Sequence, residues 1–137
     1  MTSKGRKVTL DASAVLAFLL RERGYQTVDK LLNVAVVPTS AMVETLYRAV
    51  ERGHRRAPAD THDDLLALGV TVEPVTDADT VRAAELIVAS TQDAGSGSLS
   101  LGDGLCIAVA ERLGLPLTGG DRYWSRVCAS VPFMPFR

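Results

Sequence analysis

The chain of 137 residues predicts an α/β fold, a three-layer α/β/α sandwich whose central, mainly parallel sheet has four to five strands. Three observations carry this. Short apolar runs of β type alternate with helical patterns, the arrangement of a parallel sheet whose crossovers are helices on both faces. The first run, Val8-Thr9-Leu10, has little polar alternation, as a strand covered on both sides requires. Hydrophobic residues make up 47% of the chain and charged residues 23%, enough apolar matter for a core and far from a disordered composition.

The elements follow in order. Lys7–Leu10 reads as the first strand, and Asp11, a residue type that caps helices, leads into a helix over Ala12–Arg23. A second helical pattern, Tyr25–Leu32, precedes the strand Val34–Val37 and the helix Ser40–Arg52, whose apolar stripe is Val43, Leu46 and Val50. Ala59–Leu68 reads as helix, Val70–Val75 as strand and Asp79–Ser90 as helix. The Gly/Ser segment Asp93–Ser100 is a flexible loop opening onto the helix Leu101–Leu113, which turns Glu111 and Arg112 outward and has Gly114 just past its end. Leu115–Thr118 is a strand and Asp121–Ala129 a helix. The last run, Val131–Phe136, carries Pro132 and Pro135 and is therefore an edge strand or a poorly paired tail. No repeat and no shift of composition marks a boundary, so residues 1–137 are expected to form a single domain.

Several classes are disfavoured at this point. The longest apolar run, Ala14–Leu20, is far too short to span a bilayer, and the N-terminus shows no export signal, so a cytoplasmic protein without membrane attachment is expected. Cys106 and Cys128 have no metal-type spacing and read as reduced thiols, with Cys106 on a buried helix face. Fifteen Lys and Arg against sixteen Asp and Glu give a net charge of −1, which argues against a generic nucleic-acid binder. Basic residues do gather at Arg48–Pro58 and Gly119–Arg126, where a solvated surface is the alternative to a binding role.

The chemistry lies in the acids. Asp103 is three and four residues from Cys106 and Ile107, so its carboxylate sits on a face that reads as buried and needs compensation. Ligands of open parallel sheets bind beyond the carboxyl ends of the strands. Asp11 follows the first strand, Glu44 lies in the first turns of the helix after the second, Asp103 opens its own helix, and Asp121 follows the strand Leu115–Thr118. Taken singly, Asp11 and Asp121 could be helix caps, Asp103 could complete a capping box with Ser100, and Glu44 could be solvated. Taken together they repel: two carboxylates ~5 Å apart cost roughly 3 kcal/mol at an effective dielectric near 20. Oxygen donors without His or Cys suit Mg²⁺ or Mn²⁺.

The segments VTLDASAVLAFLL, VPTSAMVETL and LSLGDGLCIAVAERLGLPLTGGDRYW resemble the three acidic segments of PIN-domain ribonucleases, in particular the VapC toxins of bacterial toxin–antitoxin pairs. The resemblance runs from Val8 to Phe136 and implies a PIN-like sandwich with Asp11, Glu44, Asp103 and Asp121 as its acidic quartet. It implies small hydroxyl residues supporting the site at Ser13, Ser40 and Thr118. The family commonly has Thr-x-Asp before the last acid, whereas this chain has Thr118-Gly-Gly-Asp121, one glycine more. The implied activity is metal-dependent endoribonucleolytic hydrolysis with Mg²⁺, or Mn²⁺, as cofactor; Asp11 and Asp103 are the first-choice ligands, and Glu44 and Asp121 bind a second ion or orient its waters. Implied partners are the RNA substrate, a small cognate antitoxin whose C-terminal segment lies across a groove near the acids, and a second copy in a homodimer. The apolar helices Ala12–Leu20 and Ser40–Val50 could line that groove or simply pack in the core.

RNA contact would fall to Arg122 and Arg126, which flank Asp121, with Tyr123 and Trp124 able to stack on a base, although a tryptophan on a short amphipathic helix more often packs in the core. His54 and His62 read as surface residues. The alternative function is a non-catalytic PIN-fold module binding RNA or protein. A receiver domain would need adjacent acids after its first strand and a lysine after its last, and a phosphatase would need Asp where Ser13 stands; both are absent.

Overall fold

The computed structural model describes residues 5–92, 98–120, 124 and 129–137. Five strands, β1 (Val8–Leu10), β2 (Ala35–Pro38), β3 (Thr71–Glu73), β4 (Leu117–Gly119) and β5 (Phe133–Pro135), form one sheet in the order β3-β2-β1-β4-β5, and every neighbouring pair is parallel. Helices α1 (Ala12–Leu20), α2 (Tyr25–Asp29), α3 (Thr39–Glu51), α4 (Pro58–Ala67), α5 (Asp77–Thr91) and α6 (Leu101–Leu113) flank it. From β1 the chain steps outward to β2 and β3, then returns to the other side of β1 for β4 and β5. The order therefore reverses between β1 and β4, and a crevice opens outside the carboxyl ends of strands at such a reversal.

Local chemistry sets the helix limits. α1 ends early, at a left-handed Arg21 (φ 56°) whose N–H reaches back to the carbonyls of Ala17 and Phe18. α2 is a short turn of helix, and Leu32–Val34 is a 3₁₀ turn rather than its continuation. α5 begins before Asp79 because Thr76 and Asp79 form a capping box, and α4 starts on Pro58, whose missing N–H costs nothing there. α6 has the predicted limits, closed by a capping box at Ser100 and Asp103 and a left-handed Gly114. β5 pairs with β4 alone, the edge position its prolines require. The predicted helix Asp121–Ala129 falls largely outside the described residues, as do Tyr123 and Cys128.

Two side-chain expectations are corrected. On α3 the buried residues are Ala41, Met42, Thr45 and Ala49; of the predicted stripe Leu46 packs against the core, while Val43 is 63% and Val50 46% exposed. α3 packs against α1, α4 and α6, and three of its four buried side chains, Ala41, Thr45 and Ala49, are small. On α6, Glu111 is not turned into solvent, its side chain being 10% exposed and paired with α5; Arg112 is an exposed residue, as expected, but its guanidinium turns back onto α5 and β3. Arg112 donates to Asp79 at 3.0 Å and to Glu73 at 2.9 Å, and Arg82 donates to Glu111 at 2.7 Å. Burial alone would raise the Asp79 pKa; the Arg112 guanidinium and the Thr76 backbone N–H outweigh it and hold the carboxyl below its usual range.

The core gathers Val8 and Leu10 of β1, Val15 of α1, Val37 of β2, Ile107 of α6, Leu32 and Leu65, closed by Trp124 and Phe136. Each fully buried large side chain here contributes about 2 kcal/mol. No helix among the described residues is long and apolar enough to cross a membrane.

Candidate active site

The crevice at the sheet reversal is an open cavity of about 510 Å³ lined by Asp11, Ala12, Ser13, Glu44, Gly102, Asp103, Cys106, Gly120 and Arg137. Three of the four acids named from the sequence thus line one cavity, delivered by three elements: the end of β1, the second turn of α3 and the first turn of α6. Asp121, Arg122 and Arg126 lie outside the described residues.

Asp11 is the buried member, 6% exposed. Its Oδ1 accepts from the Ala14 N–H at 2.9 Å, which makes it the N-cap of α1. The Ser13 hydroxyl lies 2.7 and 2.8 Å from the two carboxylate oxygens and itself accepts from the Gly120 N–H at 2.9 Å. A continuous chain of hydrogen bonds therefore ties the loop after β4 to the acid after β1. Burial, the largest influence, pushes the Asp11 carboxyl up; Ala14 and Ser13 pull it down, the charges of Asp103 and Glu44 push it up again, and it stands at about 7.

Asp103 and Ser100 complete a capping box, the Asp103 N–H donating to Ser100 Oγ and the Ser100 N–H to Asp103 Oδ2, both at 3.1 Å. Capping does not exhaust a carboxylate, which offers about four lone-pair positions. Glu44 pairs with Arg48 at 3.1 Å, a cation four residues further along the same helix face. That i, i+4 spacing is present in the sequence. Two further arginines of the basic cluster Arg48–Pro58 are paired within the fold: Arg52 with Glu22 and Arg56 with Asp64.

Of the expected supporting hydroxyls, Ser13 touches an acid. The Ser40 and Thr118 hydroxyls are buried and have no hydrogen-bond partner among the described residues. Trp124 is 3% exposed and meets Phe133 edge to face at 5.8 Å, so it is a core residue and presents no open face to a base. His54 is half-buried rather than on the surface, and neither it nor His62 lines the cavity. Arg137 at the rim was not anticipated; no local pattern links it to the acids.

The first glycine of the Thr118-Gly119-Gly120-Asp121 segment has a steric reason. A Cβ on Gly119 would lie 2.8 Å from Asp11 Oδ2 and 2.9 Å from the Trp124 ring, and a Cβ on Gly102 would lie 3.1 Å from Glu44 Oε1. Backbone without side chains is what lets the acids approach. Among the described residues no three His, Cys, Asp or Glu side chains stand close enough to hold an ion unaided. Mg²⁺ characteristically takes one or two carboxylates and keeps several waters, and the donors here are oxygen, the Cys106 thiol being pushed further toward its protonated form by burial and by the neighbouring acids. A hydrated hard cation fits this set.

An α/β domain with carboxylates gathered where a parallel sheet reverses its order is the class that fold and site define. The sequence pattern of the PIN domain matches residues 8–129, and the chain belongs to that family. No curated protein sequence matches the chain. Among solved structures, it is similar to the Mycobacterium tuberculosis toxin VapC20, described as cleaving the sarcin–ricin loop, at 20% identity and a TM-score of 0.69 over 88% of this chain and 95% of that one. It is similar to a chain of DNA-bound VapBC from Salmonella typhimurium, at 11% identity and a TM-score of 0.73 over 96% and 99%. A toxin–antitoxin complex from Klebsiella pneumoniae matches at 14% identity and a TM-score of 0.67 over 92% and 93%. The chain has a PIN fold of the VapC type.

Proposed function

We propose that the chain is a metal-dependent endoribonuclease, the toxin of a toxin–antitoxin pair, working as one domain in the cytoplasm. The observation that carries this reading is the convergence of Asp11, Glu44 and Asp103 on one cavity at the sheet reversal, with Asp11 buried behind them. Asp121 is the fourth acid of the proposed set.

Mg²⁺ or Mn²⁺ held by Asp11, Asp103 and Glu44 would acidify a water and offset negative charge on the leaving oxygen. The residues of the chain do the rest. Asp11, oriented by Ser13 and Ala14, offers a carboxylate whose proton must leave when a cation enters, so metal uptake releases a proton near neutral pH. Asp103 offers a second, held in a fixed rotamer by its capping box. Glu44 is shared between the cavity and Arg48, so a cation entering competes with that pair.

An antitoxin as partner is supported by two of the similar structures, a DNA-bound VapBC and a toxin–antitoxin complex. The homodimer expected from the sequence remains part of the proposal, and the exposed Val43, Tyr47 and Val50 on α3 offer it or the antitoxin an apolar surface.

The test is incubation of the purified chain with cellular RNA and Mg²⁺, followed by mapping of new 5′ ends. Cleavage is expected, lost with EDTA and restored by Mg²⁺ or Mn²⁺. Asp103→Asn should lose it at least a hundredfold, the scale of removing one preorganised charge stabiliser, while remaining folded. Equal cleavage by mutant and parent rejects the assignment. Cleavage by neither, with no metal uptake in calorimetry, favours the non-catalytic binding module.

A further inference from the structure

Arg137 is the cationic side chain among the described residues lining the acidic cavity. Its position is built from several sides. Phe136, 4% exposed, anchors the backbone in the core, and the Gly24 turn (φ +89°) has no Cβ because the Phe136 carbonyl and Arg137 Cβ occupy that space, 2.6 and 2.9 Å away. The guanidinium lies over the Phe136 ring, 4.9 Å from its centroid, and stands 3.9 Å from Glu22. Its Nη2 and Nε lie 3.0 and 3.4 Å from where a Gly120 Cβ would be, beside the loop that holds Ser13.

A cavity walled by carboxylates repels a polyanion. Divalent cations neutralise the acids at the phosphate being cut, but the phosphates on either side of it still meet negative potential. A guanidinium at the rim answers this, since its planar fork of N–H donors matches two phosphate oxygens at once.

We infer that Arg137 holds a phosphate of the RNA strand adjacent to the one cleaved and so sets how the strand lies across the acids; this rests on the nuclease reading above. Arg137 is a substrate-binding residue and takes no part in proton transfer.

The experiment compares Arg137→Ala, Arg137→Lys and Glu22→Gln. Binding of a fluorescent single-stranded RNA is read by anisotropy in the Asp103→Asn background, where no cleavage interferes, and KM and kcat are read in the active chain. Arg137→Ala is expected to weaken RNA binding and raise KM about tenfold, with kcat changed less than about twofold. It should also reduce the slope of log affinity against log salt by about 0.7, one phosphate contact on a single strand. Mn²⁺ affinity by calorimetry and the melting temperature should stay at the parental values. Arg137→Lys should keep the salt slope and recover part of the affinity. Glu22→Gln, which removes an ion-pair partner and leaves the guanidinium, should bind RNA as the parent does. Unchanged RNA binding in Arg137→Ala, or equal losses in Arg137→Ala and Glu22→Gln, overturns the inference, the second by reducing Arg137 to a tether. A parent chain that takes up no Mn²⁺ and cuts no RNA overturns the nuclease reading and this inference with it. That result is distinct from a metal-binding, RNA-cutting protein indifferent to Arg137.

Discussion

Asp11 concentrates the physical tension of the molecule. It caps α1 through Ala14 and is held by Ser13, yet burial and the charges of Asp103 and Glu44 raise its pKa from 3.8 to about 7. A raised carboxyl pKa means that the folded state binds more protons than the unfolded one between those values. Stability of the metal-free protein is then greatest below about pH 4 as far as this group is concerned, and falls as pH rises toward 7. The loss is about 4 kcal/mol if the full shift is realised. Urea unfolding of metal-free protein at a series of pH values should show this decline, and Asp11→Asn should flatten it. A parent curve that matches the variant between pH 4 and 7 refutes the account. Two neighbours of the acids show the limits of reading residues along the chain. Arg48 was legible, because i, i+4 spacing to Glu44 is a standard ion-pair geometry. Arg137 was not, because only the packing of Phe136 and the turn at Gly24 brings it to the cavity.

At the scale of elements, α5 and α6 are clamped by charge. Arg112 joins the carboxyl end of β3 to the first turn of α5 through Glu73 and Asp79, whose side chains are 6% and 3% exposed. Removing one partner of a buried ion pair leaves the others uncompensated, which costs more than the pair contributes. Arg112→Met is expected to destabilise by roughly 3 kcal/mol, measured by denaturant unfolding near pH 7. The sign with pH differs from that of Asp11. Asp79 has a lowered pKa, so its pairing stabilises above the ordinary Asp range and fades as pH falls through it. The gap between parent and variant should therefore narrow below about pH 4; a gap constant with pH would mean that lost packing, not charge, is the cause. Periodicity marked α6 to the residue, since its capping box and left-handed glycine are local signals. The same periodicity misjudged α3, where Val43 and Val50 are exposed and Ala41, Met42, Thr45 and Ala49 are buried. Hydrophobic spacing says that a helix has an apolar face, not which face the neighbouring helix can approach.

For the whole molecule, the cavity couples metal to folding. Ligand that binds only the folded state stabilises it by RT ln(1 + [L]/Kd), about 2.7 kcal/mol at a hundredfold excess over Kd. Mn²⁺ should therefore raise the melting temperature of the parent by several degrees, and the gain should disappear in Asp103→Asn and shrink at acid pH, where Asp11 keeps its proton. An equal shift in parent and variant would place any bound cation elsewhere. The alternation of helix and strand and the mainly parallel sheet follow from sequence because they are set by local propensity and by the scarcity of polar positions in β1, whereas the strand order is a product of tertiary packing. The acids at Asp11, Glu44 and Asp103 were also legible: Asp11 directly follows β1, Glu44 lies in the helix that follows β2, and Asp103 stood out as a carboxylate in the first turn of an apolar helix. What tertiary structure alone decided is which atoms meet there: the Gly120–Ser13–Asp11 chain, the space that Gly119 leaves beside Asp11, the burial of Trp124 and the arrival of Arg137. These contacts join segments far apart in the chain, and no local rule sets the distance between side chains that only the packed core brings together.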